Sequence, residues 1–152
     1  MIKNIFDKHV SDVIIHRIHQ LTPTTQPNWG IMSVDQMLAH CIVTYLYTYH
    51  QEQFKKPNAI KKFFLKTFVK GFVTGEKPYQ KSLRTAPEFI MKVNKDFEKE
   101  KPLLINYINK SQQLGTQHFE GLENFSFGKM TSKEWNNLFF KHLDHHLTQF
   151  GV

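Results

Sequence analysis

His142 and His146 stand four residues apart in the run Lys141-His142-Leu143-Asp144-His145-His146-Leu147. Four residues are slightly more than one helical turn, so on a helix both imidazoles point the same way, as a metal site needs. Trp135, Leu138, Phe139, His142, His146, Gln149 and Phe150 share this helical spacing, and His142 falls in the middle of that stripe. Imidazoles therefore occupy positions where apolar side chains belong. A buried imidazole must be hydrogen-bonded or metal-bound. Two readings stand: a metal pair, or core histidines that donate to a carbonyl or carboxylate. His145 lies on the flank of the same face, as a ligand in place of His146 or as a partner behind the ligands. Asp144 points nearly opposite, as a surface or inter-helix ion-pair group.

A zinc or nickel site takes a third protein ligand from another element. His40 is the best candidate. It sits beside the apolar stripe of its own helix, among Gln36, Met37, Thr44 and Tyr47, a mixed surface that suits a pocket wall. The competing reading is a half-exposed helix histidine. Cys41 is turned away by about a hundred degrees and reads as a small core residue. His9, His16, His19, His50 and His118 have no partner at ligand spacing and read as surface or loop. No Ser/His/Asp or Cys/His arrangement stands out, and the chain has no phosphate-cradling glycine loop, CxxC pair or paired carboxylates at a plausible site.

The elements that must position these residues read as helices. The first spans about Asn4 to Gln20. Two prolines and a glycine in 22–30 end it. Ser33-Val34-Asp35-Gln36 is a capping box opening a second helix, which carries Val34, Met37, Leu38, Cys41, Ile42, Tyr45 and Tyr49 and ends near Gln53. Asn58 caps a short helix through Phe63, Phe64, Phe68 and Val69 that stops at Gly71, and Gly75-Glu76-Lys77-Pro78 is a loop. Pro87 opens a third long helix, kinked at Pro102. Residues 115–130 read as loop. Thr131-Ser132-Lys133-Glu134 is a second capping box, and the last helix runs to about Phe150, with Gly151 suited to its end. The expectation is an all-α antiparallel four-helix bundle, one domain over 1–152, with a basic insertion between its second and third long helices.

The chain has 152 residues, 40% of them hydrophobic and 14 of them Phe, enough for a sizeable core. Its net charge of +7 is unevenly placed. Residues 55–84 hold nine Lys/Arg against the single acid Glu76, a net +8, while the remainder has 11 basic and 12 acidic residues. Such a patch speaks of an anionic partner or a solvated face. The lone Cys41 excludes an internal disulfide, no signal peptide is visible, and no apolar run is long enough to span a bilayer. These features make a cytoplasmic setting the default expectation.

His40 within Gln36-Met37-Leu38-Ala39-His40-Cys41, followed far downstream by His142-x-x-x-His146-x-x-Gln149, resembles the DinB/YfiT-like metal-binding four-helix bundles, closest to an uncharacterised branch. Further matching pieces are Leu21-Thr22-Pro23-x-x-Gln26-Pro27-x-Trp29-Gly30-x-Met32, Thr85-Ala86-Pro87-Glu88-Phe89 and Phe127-Gly128-Lys129-Met130-Thr131-x-x-Glu134-Trp135. The resemblance implies an up-down-down-up bundle with one divalent metal ion held by His40, His142 and His146. It also implies kinship with transferases and isomerases that use bacillithiol, mycothiol or related thiols, and dimers are common among such proteins. Leu147-Thr148 stands where the superfamily frequently has Arg-Gly.

Two functional classes follow. One is a metal-dependent transferase or hydrolase of a small molecule, with a low-molecular-weight thiol as a possible co-substrate. The other is a binding module without catalysis. In it, the cation-and-aromatic stretch Lys61-Lys62-Phe63-Phe64-Leu65-Lys66-Thr67-Phe68-Val69-Lys70 meets an anionic partner or a membrane surface. Against this second class stands the expectation that the stretch packs its Phe side on the bundle and wets its lysines. No nucleic-acid motif is present, so no specific nucleic acid is expected. A third possibility is a structural family member whose pocket binds no metal.

Overall fold

The computed structural model describes residues 2–83 and 85–152. Arg84, the last cation of the basic segment, lies outside them. Four long helices make up the frame: α1 (Lys8–Gln20), α2 (Val34–Tyr49), α5 (Phe97–Phe119) and α6 (Ser132–Gln149). Between α2 and α5 lie two short helices, α3 (Ala59–Phe64) and α4 (Lys70–Thr74), joined by one π turn over Leu65–Val69. A two-stranded antiparallel hairpin, β1 (Glu123–Asn124) and β2 (Gly128–Lys129), links α5 to α6.

Cross-helix bonds give the helix directions. The Ile5 N–H donates to Asn136 near the start of α6, and Arg17 pairs with Asp144 further along it. α1 and α6 are therefore parallel. Lys101 at the start of α5 donates to the Leu21 carbonyl, and Gln112 reaches Phe6, so α5 runs against α1. Asp35 accepts from the Lys95 N–H and Tyr49 meets Ser111, so α2 runs with α5. The order is up-down-down-up, and the all-α bundle expectation holds. The core draws Ile14 and Ile18 from α1, Met37, Leu38 and Tyr45 from α2, Leu104 and Ile108 from α5, and Trp135, Phe139 and Leu143 from α6.

Local chemistry explains where the boundaries differ from expectation. The first helix begins at Lys8 because Asn4–Asp7 form a capped turn, closed by the Asp7 N–H on the Asn4 carbonyl. α2 ends at Tyr49, and Gln51–Gln53 add one 3₁₀ turn. Pro87 opens only a 3₁₀ turn, Pro87–Phe89. The long helix starts ten residues later, where Asp96 accepts from the Glu98 N–H and caps it. Pro102 lies inside α5, yet the residue off helical dihedrals is Gly115, with φ +71°. A proline near a helix start loses few bonds, whereas glycine alone tolerates that positive φ. The expected loop 115–130 instead holds the last turn of α5 and the hairpin, whose turn is closed by Asn124 accepting from Ser126 and Phe127.

The basic segment departs further. Asn58 caps α3 as expected, accepting from the Lys61 N–H at 2.8 Å, but the helical run passes Gly71 to Thr74. Leu65, Val69 and Val73 face the bundle. The phenylalanines do not: Phe63, Phe64, Phe68 and Phe72 are each more than half exposed. The expectation that this segment packs its Phe side inward is thus corrected. The inner face is already filled by the three aliphatic residues.

The end of α4 is latched to α6. Lys141 is buried, and its ammonium donates to the carbonyls of Phe72, Val73 and Gly75 at 3.1, 3.2 and 2.6 Å. Asn137 donates to the Thr74 carbonyl at 2.8 Å. Free carbonyls at a helix end carry negative partial charge, so a cation there is favourable, although burial holds the lysine pKa below its ordinary value. Lys141→Met keeps the stem and removes the ammonium. It should cost about 2 kcal/mol, because charge-assisted bonds are lost and carbonyls stay buried. Urea unfolding measures this, and an unchanged midpoint would mean the burial cost cancels the bonds.

Candidate metal centre

The antiparallel crossing of α2 and α6 brings His40 beside His142 and His146. One ring nitrogen of each lies within 4.8 Å of the others. Ring centroids are 4.8 Å apart for His40–His142, 4.6 Å for His40–His146 and 4.9 Å for His142–His146. His40 and His146 are 4% and 8% exposed, and His142 is half-buried. The half-exposed reading of His40 is therefore overturned. The 87–93 segment covers it, with the Phe89 ring 5.4 Å away edge-on.

Each imidazole is held by its Nδ1. His40 Nδ1 lies 2.8 Å from the Phe89 carbonyl. A carbonyl only accepts, so Nδ1 carries the hydrogen and Nε2 a lone pair. His146 Nδ1 lies 2.8 Å from Gln149 Oε1, while Gln149 Nε2 donates to the Trp29 carbonyl at 2.6 Å. That second bond fixes the amide orientation, so His146 also donates from Nδ1 and keeps Nε2 free. His142 Nδ1 lies 3.0 Å from Thr44 Oγ1, and its Nε2 is 2.9 Å from His40 Nε2. A hydroxyl serves either as donor or acceptor, so Thr44 accommodates both tautomers of His142.

Burial keeps the cluster uncharged. It lowers the pKa of His40, takes His142 well below the ordinary histidine value, and pushes His146 down to about 3. Mutual repulsion within the cluster adds to the effect at His142 and His146. Neutral imidazoles keep the lone pairs that a cation binds. Three histidines so arranged, two buried and one half-buried, can hold a metal ion.

The other histidines stay outside. His145 packs edge-on against Trp29 and Tyr79, with centroids at 5.9 and 5.8 Å. His9, His16, His19 and His118 are exposed, and His50 is half-buried against Tyr107. Cys41 is buried, its thiol pKa raised by burial. Asp144 pairs with Arg17 at 2.7 Å, the inter-helix role expected of it.

The sequence places Thr44 on a candidate pocket wall and Gln149 in the closing motif without assigning either a hydrogen bond to a histidine, and it does not point to the Phe89 carbonyl at all. The first two carry a local signal: Thr44 follows His40 by four residues and Gln149 follows His146 by three, so each shares its histidine's face. The Phe89 carbonyl has none, because a loop places it. Gly30 belongs to the same assembly. Its φ is +83°, and a Cβ there would stand 2.6 Å from Gln149 Nε2. Gly30→Ala should cost about 1–2 kcal/mol from the backbone alone and displace Gln149. Thermal unfolding and the His146 imidazole shift by NMR check this; an unmoved His146 signal would dissociate the loop from the ligand.

A family model described as protein of unknown function (DUF1569) matches residues 5–151. The chain belongs to that family. No curated protein and no solved structure matches it. No helix among the described residues is long and apolar enough to cross a membrane.

Proposed function

We propose that this DUF1569 chain is a divalent-metal protein whose ion is held by His40, His142 and His146, and that it catalyses a metal-dependent transfer or hydrolysis of a small molecule. The observation that carries the reading is the converging triad with each Nδ1 oriented by the protein. His40 and His146 donate from Nδ1 and keep a lone pair on Nε2, as a metal requires of its ligands, and the Thr44 hydroxyl would let His142 take the same tautomer if an ion replaced its Nε2 contact with His40. All-nitrogen, uncharged donors suit zinc or nickel. The resemblance to DinB/YfiT-like bundles supports the same three residues and points to a low-molecular-weight thiol as co-substrate.

Three protein ligands leave room for a further one, and an ion bound there supplies Lewis acidity that lowers the pKa of a water or thiol beside it. The protein's own contributions are orientation and exclusion of water. The Phe89 carbonyl, Thr44 and Gln149 fix the rings, and the Phe89 ring screens His40 and His142 edge-on. Because the ligand set is neutral, an ion there keeps its charge and favours an anionic partner such as a thiolate.

Metal analysis of protein purified without chelator tests the proposal, with His142→Ala beside it. One ion per chain in the wild type and none in the variant is expected; equal content in both would sink it. Gln149→Ala should weaken metal binding about 10- to 100-fold, since the group orienting a ligand is lost. A cobalt titration reads this directly.

A further inference from the structure

The outward face of the segment 59–74 carries five large apolar side chains. Ile60, Phe63, Phe64, Phe68 and Phe72 are between 51% and 82% exposed. Scattered exposed apolar residues are ordinary, but a contiguous row marks an interaction surface. Ile60, Phe64, Phe68 and Phe72 are spaced by four, and an α-helix drifts about 40° over each such step. The π turn at Leu65–Val69 closes i→i+5 bonds and so holds more residues per turn, which takes back part of that drift. Phe64 and Phe68 accordingly touch, with centroids 5.0 Å apart. The inner face stays on the bundle through Leu65, Val69 and Val73. The segment is thus apolar on two faces: among the described residues the inner one packs on the core, while on the outer one Phe72 stacks on Tyr79 at 5.5 Å and Ile60, Phe63, Phe64 and Phe68 stay 55–82% exposed.

Cations flank the row. A concavity of about 550 Å³ beside it is lined by Lys62, Phe63, Lys66, Glu123 and Lys129, among others. Lys62 pairs with Glu123, whereas Lys66 pairs with no carboxylate among the described residues. Lys55, Lys56 and Lys61 precede and follow the cap of the same segment. An occupant must therefore offer hydrocarbon to the phenylalanines and negative charge to the lysines at once. A second copy brings like charge against a segment of net +8. A nucleic acid brings charge without hydrocarbon. An anionic phospholipid surface brings both.

We propose that this face docks on anionic phospholipid bilayers, the phenylalanine row entering the acyl boundary and Lys62, Lys66 and Lys129 meeting headgroup phosphates. It is independent of the metal centre, whose residues it does not touch.

Flotation of the full chain with vesicles tests it. Vesicles of phosphatidylglycerol and phosphatidylcholine in equal parts should carry the protein at about 50 mM NaCl. Binding should fall at least about tenfold on pure phosphatidylcholine, and again at about 500 mM NaCl. Phe64→Ser with Phe68→Ser should weaken it by about tenfold with an unchanged thermal midpoint, because those rings are already wet. Phe68→Trp should add a component to the tryptophan emission that shifts to the blue on the anionic vesicles, which tests insertion should the double variant fail to fold. No binding to anionic vesicles, equal binding by wild type and a folded double variant, or an emission from Phe68→Trp that vesicles leave unshifted would overturn the proposal. So would salt-sensitive binding to RNA, or a dimer lost in the double variant, without vesicle binding.

Discussion

Metal-free protein should lose stability steeply as pH falls from 6.5 towards 4.5. The buried histidines dictate the sign. In the folded chain burial pushes the His146 pKa down to about 3, against 6.5 for the free side chain. His40 and His142 are lowered too. Between the folded and unfolded values the unfolded state binds more protons, so each unit of acidification removes stability. One such group contributes about 1.4 kcal/mol per pH unit once pH is below its unfolded value. His146 alone thus accounts for roughly 2–3 kcal/mol over two units. Above pH 6.5 these groups give no slope. Urea midpoints at half-unit intervals in chelator would show it, and His146→Gln should flatten the dependence. A wild-type curve flat from 6.5 to 5 would mean that the cluster already carries protons when folded.

Saturating zinc or cobalt should raise the unfolding free energy of the wild type by about 4 kcal/mol at a free concentration near 1,000 times its Kd. That corresponds to roughly 10 °C for a chain of this size. The effect should vanish in His142→Ala when each protein is compared with and without metal. The difference within each protein is the readout, because removing His142 also alters the packing around Thr44 and His40. Equal gains in both proteins would place the ion elsewhere. Acid and metal are linked through the same lone pairs, so lowering pH should erode the metal-induced gain as well.

Much of this is legible in the residues. Ser33…Gln36 and Thr131…Glu134 announce the two helices that carry the triad. In the second of these, Thr131 accepts from the Glu134 N–H at 3.2 Å while Glu134 accepts back from the Thr131 N–H at 2.9 Å. His142 and His146 share a face by spacing alone. Other features depend on distant chain and cannot be read locally. The depth of His40 is set by the 87–93 segment laid over α2. Pro87 satisfies a helix-start preference equally well in a single 3₁₀ turn. Phe89 and Val93 keep helical spacing with Phe97, yet Asp96 restarts the chain between them. The hairpin has two residues per strand, too few for an alternating pattern. The direction of the phenylalanines escapes a sequence reading because 59–74 has two apolar faces, and pattern alone does not say which one the core selects.

The last turn of α6 is where a helix ordinarily frays, yet here it is bolted down. The Gln149 carbonyl accepts from the Asn28 N–H, its side chain grips Trp29, and Arg17 holds the Val152 carbonyl. His146 sits one turn upstream of these clamps. Its position is therefore only as steady as residues 149–152, and a pull on that segment, by a tag fused after it or by thermal breathing, would be felt as a loosened grip at the heart of the bundle.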